Sequence, residues 1–183
     1  MGKLLHSNTS TALWYEIIYE AENSCEITLK QELEWYLIGL LIRFTANPQI
    51  VKQIMAIDFL QGLKLAKHQR EVVLQDVGDK CLIFSGLFPA NSEKRLVKPS
   101  YFVNLGQSAY LNISKNTNDI YALLSDEFVA LMDILQTIRC YSKDYPDLLP
   151  IKAYELWKET GSRRAFSVLQ QYTSAIPLLI REK

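Results

Sequence analysis

Asp79, Ser85, Tyr101 and Tyr110 interrupt otherwise apolar segments in the middle of this 183-residue chain. A carboxylate set against two phenols away from water could hold a small polar ligand or work as an acid–base pair, because burial shifts the proton affinity of both groups. The same residues have a plainer use. A buried carboxylate needs donors, tyrosine hydroxyls supply them, and the pairing fixes how two helices and their loop pack. Structural packing is the expectation, with a small-molecule or active site near Asp79, Tyr101 and Tyr110 as the alternative.

Other chemistry is thinly provided. His6 and His68 are the only imidazoles. His68 and Glu71 stand three apart on one helix, but zinc and di-iron sites need more histidine, cysteine or carboxylate support. No metal or cofactor is expected. Cys25, Cys81 and Cys140 form no C-x-x-C motif, so each reads as a small apolar residue in a reducing compartment. The seven glycines make no G-x-G or G-x-x-x-x-G spacing, which excludes a glycine-rich phosphate cradle. No G-x-S-x-G elbow accompanies His68, so hydrolase chemistry has no support.

Two charged segments have a recognition reading. Residues 154–172 have a helix–turn–helix rhythm, with Arg163 and Arg164 in the first turn of the second helix, where base-reading side chains sit in such motifs. Glu155 and Glu159 precede the turn, and 20 basic side chains balance 20 acidic ones over the whole chain, so nucleic acid is disfavoured. The loop 91–98, with Glu93, Lys94, Arg95 and Lys98, reads as a solvated connection. The aromatic group Trp14, Tyr15, Tyr19, Trp35 and Tyr36 reads as core plus rim.

The elements that must position these residues are helices. Apolar residues recur at spacings of three and four, and no segment sustains the period-two alternation of a strand. The pattern places helices over 10–24, 28–45, 64–86, 99–113, 119–141 and 149–160, a short one after Asn47-Pro48, and a last one opened by Ser162. Thr28 with Gln31 reads as a capping box, and Gly161 stands where a left-handed C-terminal cap belongs. The short helix turns Ile50, Val51, Ile54 and Met55 inward. Gly78 and Gly106 mark close helix crossings, with Gly106 suited to face Gly78 or another helix.

Hydrophobic residues make up 49% of the chain and charged ones 22%, enough to build a core without disulfides. The expected fold is all-α, one domain of about seven helices over 1–183, with 1–9 frayed and 173–183 an irregular apolar tail. The longest apolar stretch, 35–42, is too short to span a bilayer, and residues 1–15 lack a signal-peptide core. No membrane contact and a cytoplasmic location are expected.

The middle of the chain carries a resemblance. Gly78-Asp79, Leu82, Ser85-Gly86 and Leu87-Phe88 follow a G-D-x-x-L-x-x-S-G-F-F pattern. Val97, Tyr101-Phe102, Gly106 and Ala109-Tyr110 follow V-x-x-x-Y-Y-x-x-x-G-x-x-A-Y. Together they resemble an uncharacterised family of bacterial all-helical proteins, departing from it in Leu87 for Phe and Phe102 for Tyr. The resemblance extends over most of the chain. It implies one helical domain of bacterial origin and no particular activity. The functional expectation is a non-enzymatic adaptor or regulator acting through protein–protein contacts, possible homodimers included. A DNA-binding C-terminal pair, through Arg163 and Arg164, stands as a second alternative.

Overall fold

Ten consecutive residues, 77–86, are buried, and so are seven more, 131–137. A helix covered on one side cannot do this; both segments must be surrounded. The computed structural model, which describes residues 2–48, 55–88, 98–142 and 148–173, shows them as the two inner helices of an all-α bundle. In chain order the helices are α1 (Gly2–Cys25), α2 (Gln31–Ala46), α3 (Met55–Gly62), α4 (Lys67–Leu87), α5 (Pro99–Leu111), α6 (Ile120–Asp126), α7 (Phe128–Cys140), α8 (Pro150–Thr160) and α9 (Arg163–Tyr172). Among the described residues there are nine helices and no strand, and no helix is long and apolar enough to cross a membrane.

α4 and α7 pack on each other, and the rest wrap them. α5 lies along α4 in the most extensive contact, α3 covers the start of α4, α1 and α9 lie on α7, and α2 rests on α1. Close approach is achieved with glycine. A Cβ on Gly78 would stand 2.5 Å from the Tyr110 ring of α5, and one on Gly86 2.5 Å from Leu135 of α7. Gly106 faces α4 at Cys81, one turn past Gly78, and also clears the Phe128 ring of α7. Gly39 of α2 differs from all three. It is exposed, a Cβ there would meet nothing within 4 Å among the described residues, and a mid-helix glycine costs about 1 kcal/mol against alanine.

Several boundaries differ from the periodic reading. The helix expected over 119–141 breaks at Glu127 (φ −95°, ψ 14°), and the bend sets Phe128 against Gly106 while Ser125 and Gln107 exchange hydrogen bonds of 3.1 Å. This break divides one of the eight expected helical segments in two, giving nine helices among the described residues against about seven expected. α1 starts at Gly2, ahead of the start expected at Ser10, and no proline or further glycine interrupts the run to Cys25. The Thr28–Gln31 capping box does not form. Lys30 is the N-cap of α2, and the Glu22 carboxylate instead accepts from the Leu29 amide at 2.7 Å. Ile50, Val51 and Ile54, expected to face inward, lie outside the described residues together with the side chain of Met55, the loop at 91–97 and the tail from 174.

Two helix ends close in a left-handed turn, one on glycine and one on a residue with a side chain. Gly161 ends α8 with φ +75°, as its type suggested. α1 ends in the same left-handed turn but with Glu26 in it, at φ +54°. The Ile27 amide reaches back to the Glu22 carbonyl at 3.0 Å and the Glu26 amide to Asn23 at 3.4 Å, the paired bonds of a Schellman turn. A side chain in this conformation costs about 1 kcal/mol that glycine does not. Glu26→Gly is therefore expected to stabilise the fold by about that amount, measured as a higher urea midpoint; a lowered midpoint would show that the Glu26 side chain is itself needed.

Candidate functional site

Asp79 lies on the inner helix α4 and is 6% exposed. Burying a carboxylate there demands donors, and two neighbouring helices provide them. Tyr36 of α2 donates to Oδ1 at 2.6 Å, Tyr110 of α5 donates to the same oxygen at 2.8 Å, and Arg43 of α2 reaches Oδ2 at 2.9 Å. The chain of bonds continues outward. Gln75 Nε2 donates to Tyr36 Oη at 3.2 Å, and Tyr121 of α6 donates to Gln75 Oε1 at 3.1 Å. One polar network thereby joins α2, α4, α5 and α6.

The electrostatics suit this use. Burial pushes the Asp79 carboxyl upward, while the two phenols and the Arg43 guanidinium pull it back toward the ionised form. Burial and the nearby carboxylate push both Tyr36 and Tyr110 upward, so the phenols keep the protons they donate. The Tyr110 ring is fully buried, edge-on to Tyr36 and stacked with Tyr121, each with centroids 6.4 Å apart.

Asp79 and Tyr110 are thus brought together, and the other two expected residues are elsewhere. The Ser85 hydroxyl donates to the Cys81 carbonyl within α4 at 2.8 Å, and its own carbonyl accepts from Gln136 of α7. Tyr101 is 42% exposed and packs edge-on against Phe102, away from the network. Tyr36, Arg43, Gln75 and Tyr121 complete the cluster, and none was singled out as a partner of Asp79 from sequence. Tyr36 stood in the aromatic group, but 43 positions separate it from Asp79, and periodicity carries no information about such a pairing.

A second buried carboxylate escaped the sequence reading altogether. Asp133 of α7 is 1% exposed. Ser162 donates its hydroxyl to Oδ1 at 2.6 Å, and the Arg163 and Arg164 amides donate to Oδ2 at 2.8 and 3.2 Å. Asp133 therefore caps the N-terminus of α9 from another helix, alongside the local Ser162 cap on the Ala165 amide. This arrangement also redirects the arginines. Arg163 donates to the Glu26 carbonyl at 2.9 Å and Arg164 to Cys140 Sγ at 3.2 Å, so both guanidinium groups are engaged within the molecule. A polar cleft of about 460 Å³ opens beside this anchor, lined among others by Gln107, Glu127, Thr160 and Arg163.

Glu71, paired with His68 in sequence, contacts Lys115 at 3.7 Å. Among the described residues no three His, Cys, Asp or Glu side chains gather as metal ligands would. The N-terminal aromatics divide. Trp14 and Tyr36 pack on the core, while Tyr15, Tyr19 and Trp35 are 45%, 57% and 52% exposed, with the Tyr15 and Trp35 rings 6.4 Å apart.

Removing the Asp79 carboxylate strands the two phenols and leaves the half-exposed Arg43 without its carboxylate. Asp79→Ala is expected to cost about 3–5 kcal/mol in urea unfolding, and Asp79→Asn less, since its carbonyl oxygen still accepts. Asp133 gives a pH signature. Burial, opposed by Ser162 and the α9 amides, raises its carboxyl to about 6 from the ordinary 3.8. A folded value above the unfolded one means a stabilising contribution that is complete below pH 3.8 and lost as pH rises through about 6. The stability advantage of the natural chain over Asp133→Asn should therefore shrink between those limits by up to about 3 kcal/mol; a pH-independent difference would refute the shift. Comparison of the chain with protein-family models, with curated proteins and with solved structures returns no match.

Proposed function

We propose that this chain is a non-enzymatic interaction module of the bacterial cytoplasm, an adaptor or regulator that binds another protein through the outer face of α1 and α2. The observation that carries this reading is the trio Tyr15, Tyr19 and Trp35, all about half exposed, with the Tyr15 and Trp35 rings tilted against each other 6.4 Å apart. Single exposed apolar residues are ordinary; adjoining rings of tyrosine and tryptophan are the side chains that dominate binding energy when a partner covers them. Their amphipathic rings also remain compatible with water until that happens. The inner polar groups support the same reading from the other side. Asp79, Tyr110 and Asp133 already have their hydrogen bonds taken up by side chains and backbone of this chain.

A photoreactive benzophenone amino acid placed at position 35 in living bacteria tests the proposal. A discrete protein adduct is expected at position 35 and none at the exposed Lys158 of α8. Equal adducts at both positions, or none at 35, would remove the face from consideration.

A further inference from the structure

The structure points to the chemistry of the partner: we infer that the α1–α2 face receives a basic amphipathic helix, crossing α2 over Gly39. This inference rests on the interaction reading above. Its first support is the contrast among glycines. Gly78, Gly86 and Gly106 each make room for a ring or side chain of this chain, whereas Gly39 makes room for nothing within 4 Å among the described residues. It weakens α2 without an internal return, on an exposed surface. A bare patch of helix is what lets the axis of a second helix come close, because the side chains at the crossing set the separation.

The surroundings specify that second helix. Trp35 precedes Gly39 by four residues and so lies on the same side of α2. Tyr15 stands beside Trp35, and Tyr19 follows Tyr15 one turn later on α1. The bare spot is therefore bordered by aromatic walls suited to an apolar stripe. Outside those walls negative charge predominates: from Ser10 to Arg43 there are six glutamates, Glu22 among them buried, against Lys30 and an Arg43 already paired with Asp79, in a chain that is neutral overall. Glu16, Glu20 and Glu32 are exposed and Glu34 half-exposed, and no ion pair among the described residues engages any of them.

Charge complementarity selects the occupant. A second copy placed face to face by a two-fold axis would set these glutamates against themselves. A helix with leucine or aromatic residues on one side and lysine or arginine on the other satisfies walls and rim together, and long-range attraction speeds its approach.

The test uses the full chain and two labelled synthetic amphipathic peptides of about 18 residues, five helical turns, with the same leucine stripe and either lysine or glutamate elsewhere. Fluorescence anisotropy is expected to show saturable micromolar binding of the lysine peptide, and roughly tenfold or greater weakening with the glutamate peptide. Gly39→Leu should weaken the lysine peptide by a similar factor while leaving the melting temperature unlowered, since the added side chain meets only open space. Binding untouched by Gly39→Leu would mean charge alone acts, elsewhere, and would overturn the inference. Equal binding of both peptides, blocked by Gly39→Leu, would overturn the basic partner while leaving the face as an interaction site. A concentration-dependent doubling of mass in light scattering, abolished by Gly39→Leu, would make a second copy the occupant and overturn it too. Absence of binding by either peptide also overturns it, and the adduct at position 35 then decides the broader reading separately.

Discussion

A carboxylate inside a helix that is covered on every side must either lose its charge or be met by donors, and this bundle has one such carboxylate on each inner helix. Desolvation of an unpaired ion costs several kcal/mol, a large part of the whole stability of a domain this size. The donors cannot come from the inner helix itself, whose amides are already committed to its own carbonyls. They come from outer elements. Asp79 on α4 draws in Tyr36 and Arg43 of α2 and Tyr110 of α5; Asp133 on α7 draws in Ser162 and the first amides of α9. Apolar stripes bring helices together without fixing their rotation closely, and hydrogen bonds with distances near 2.8 Å do fix it.

The two anchors are chemically distinct. At Asp79 the donors are long side chains, so α2 is held at arm's length from α4, and its extensive packing is with α1 instead. At Asp133 the donors are mostly backbone, so α9 is held by its very first residues and the α8–α9 turn is pinned to α7. The second arrangement adds a favourable negative charge at a helix N-terminus. The arginines whose amides are captured then extend toward the ends of α1 and α7, at Glu26 and Cys140. A helical hairpin with DNA-binding rhythm is in this way a structural clasp.

The helical class, most helix limits and the close packing at Gly78 and Gly106 were legible from periodicity and residue type, because burial of a stripe is a local property of sequence. Asp79 and Tyr110 were legible as polar interruptions of apolar runs. Asp133 was not. It sits between Leu131 and Ile134, where a one-sided stripe predicts a solvated position, and only the enclosure of α7 on all sides puts it inside. The Glu127 break was equally hidden, since apolar spacing continues through it and the bend answers to Phe128 meeting Gly106 on another helix. Glu26 in a left-handed turn carried no glycine signal, and the Thr28 box was displaced by the more buried Glu22. Each miss is a place where distant packing outweighs local preference.

The anchor at Asp79 also governs what α2 shows to solvent. Tyr36 and Arg43 are seven residues apart, two turns, and therefore share one side of the helix. Held by the same carboxylate, they fix the rotation of α2 about its axis. Trp35 lies roughly 100° around from Tyr36, and Gly39 falls between them, about 40° from Trp35 and about 60° from Tyr36. With Tyr36 and Arg43 turned inward by Asp79, Trp35 has little choice but to face outward beside Tyr15. An apolar core alone would tolerate a small roll of α2 that buries part of the indole, which is the direction the hydrophobic effect favours. The buried carboxylate opposes that roll. The outward presentation of Trp35 and the bare Gly39 surface beside it is then a consequence of the polar network beneath, and the inner charge and outer aromatic face are two ends of one constraint.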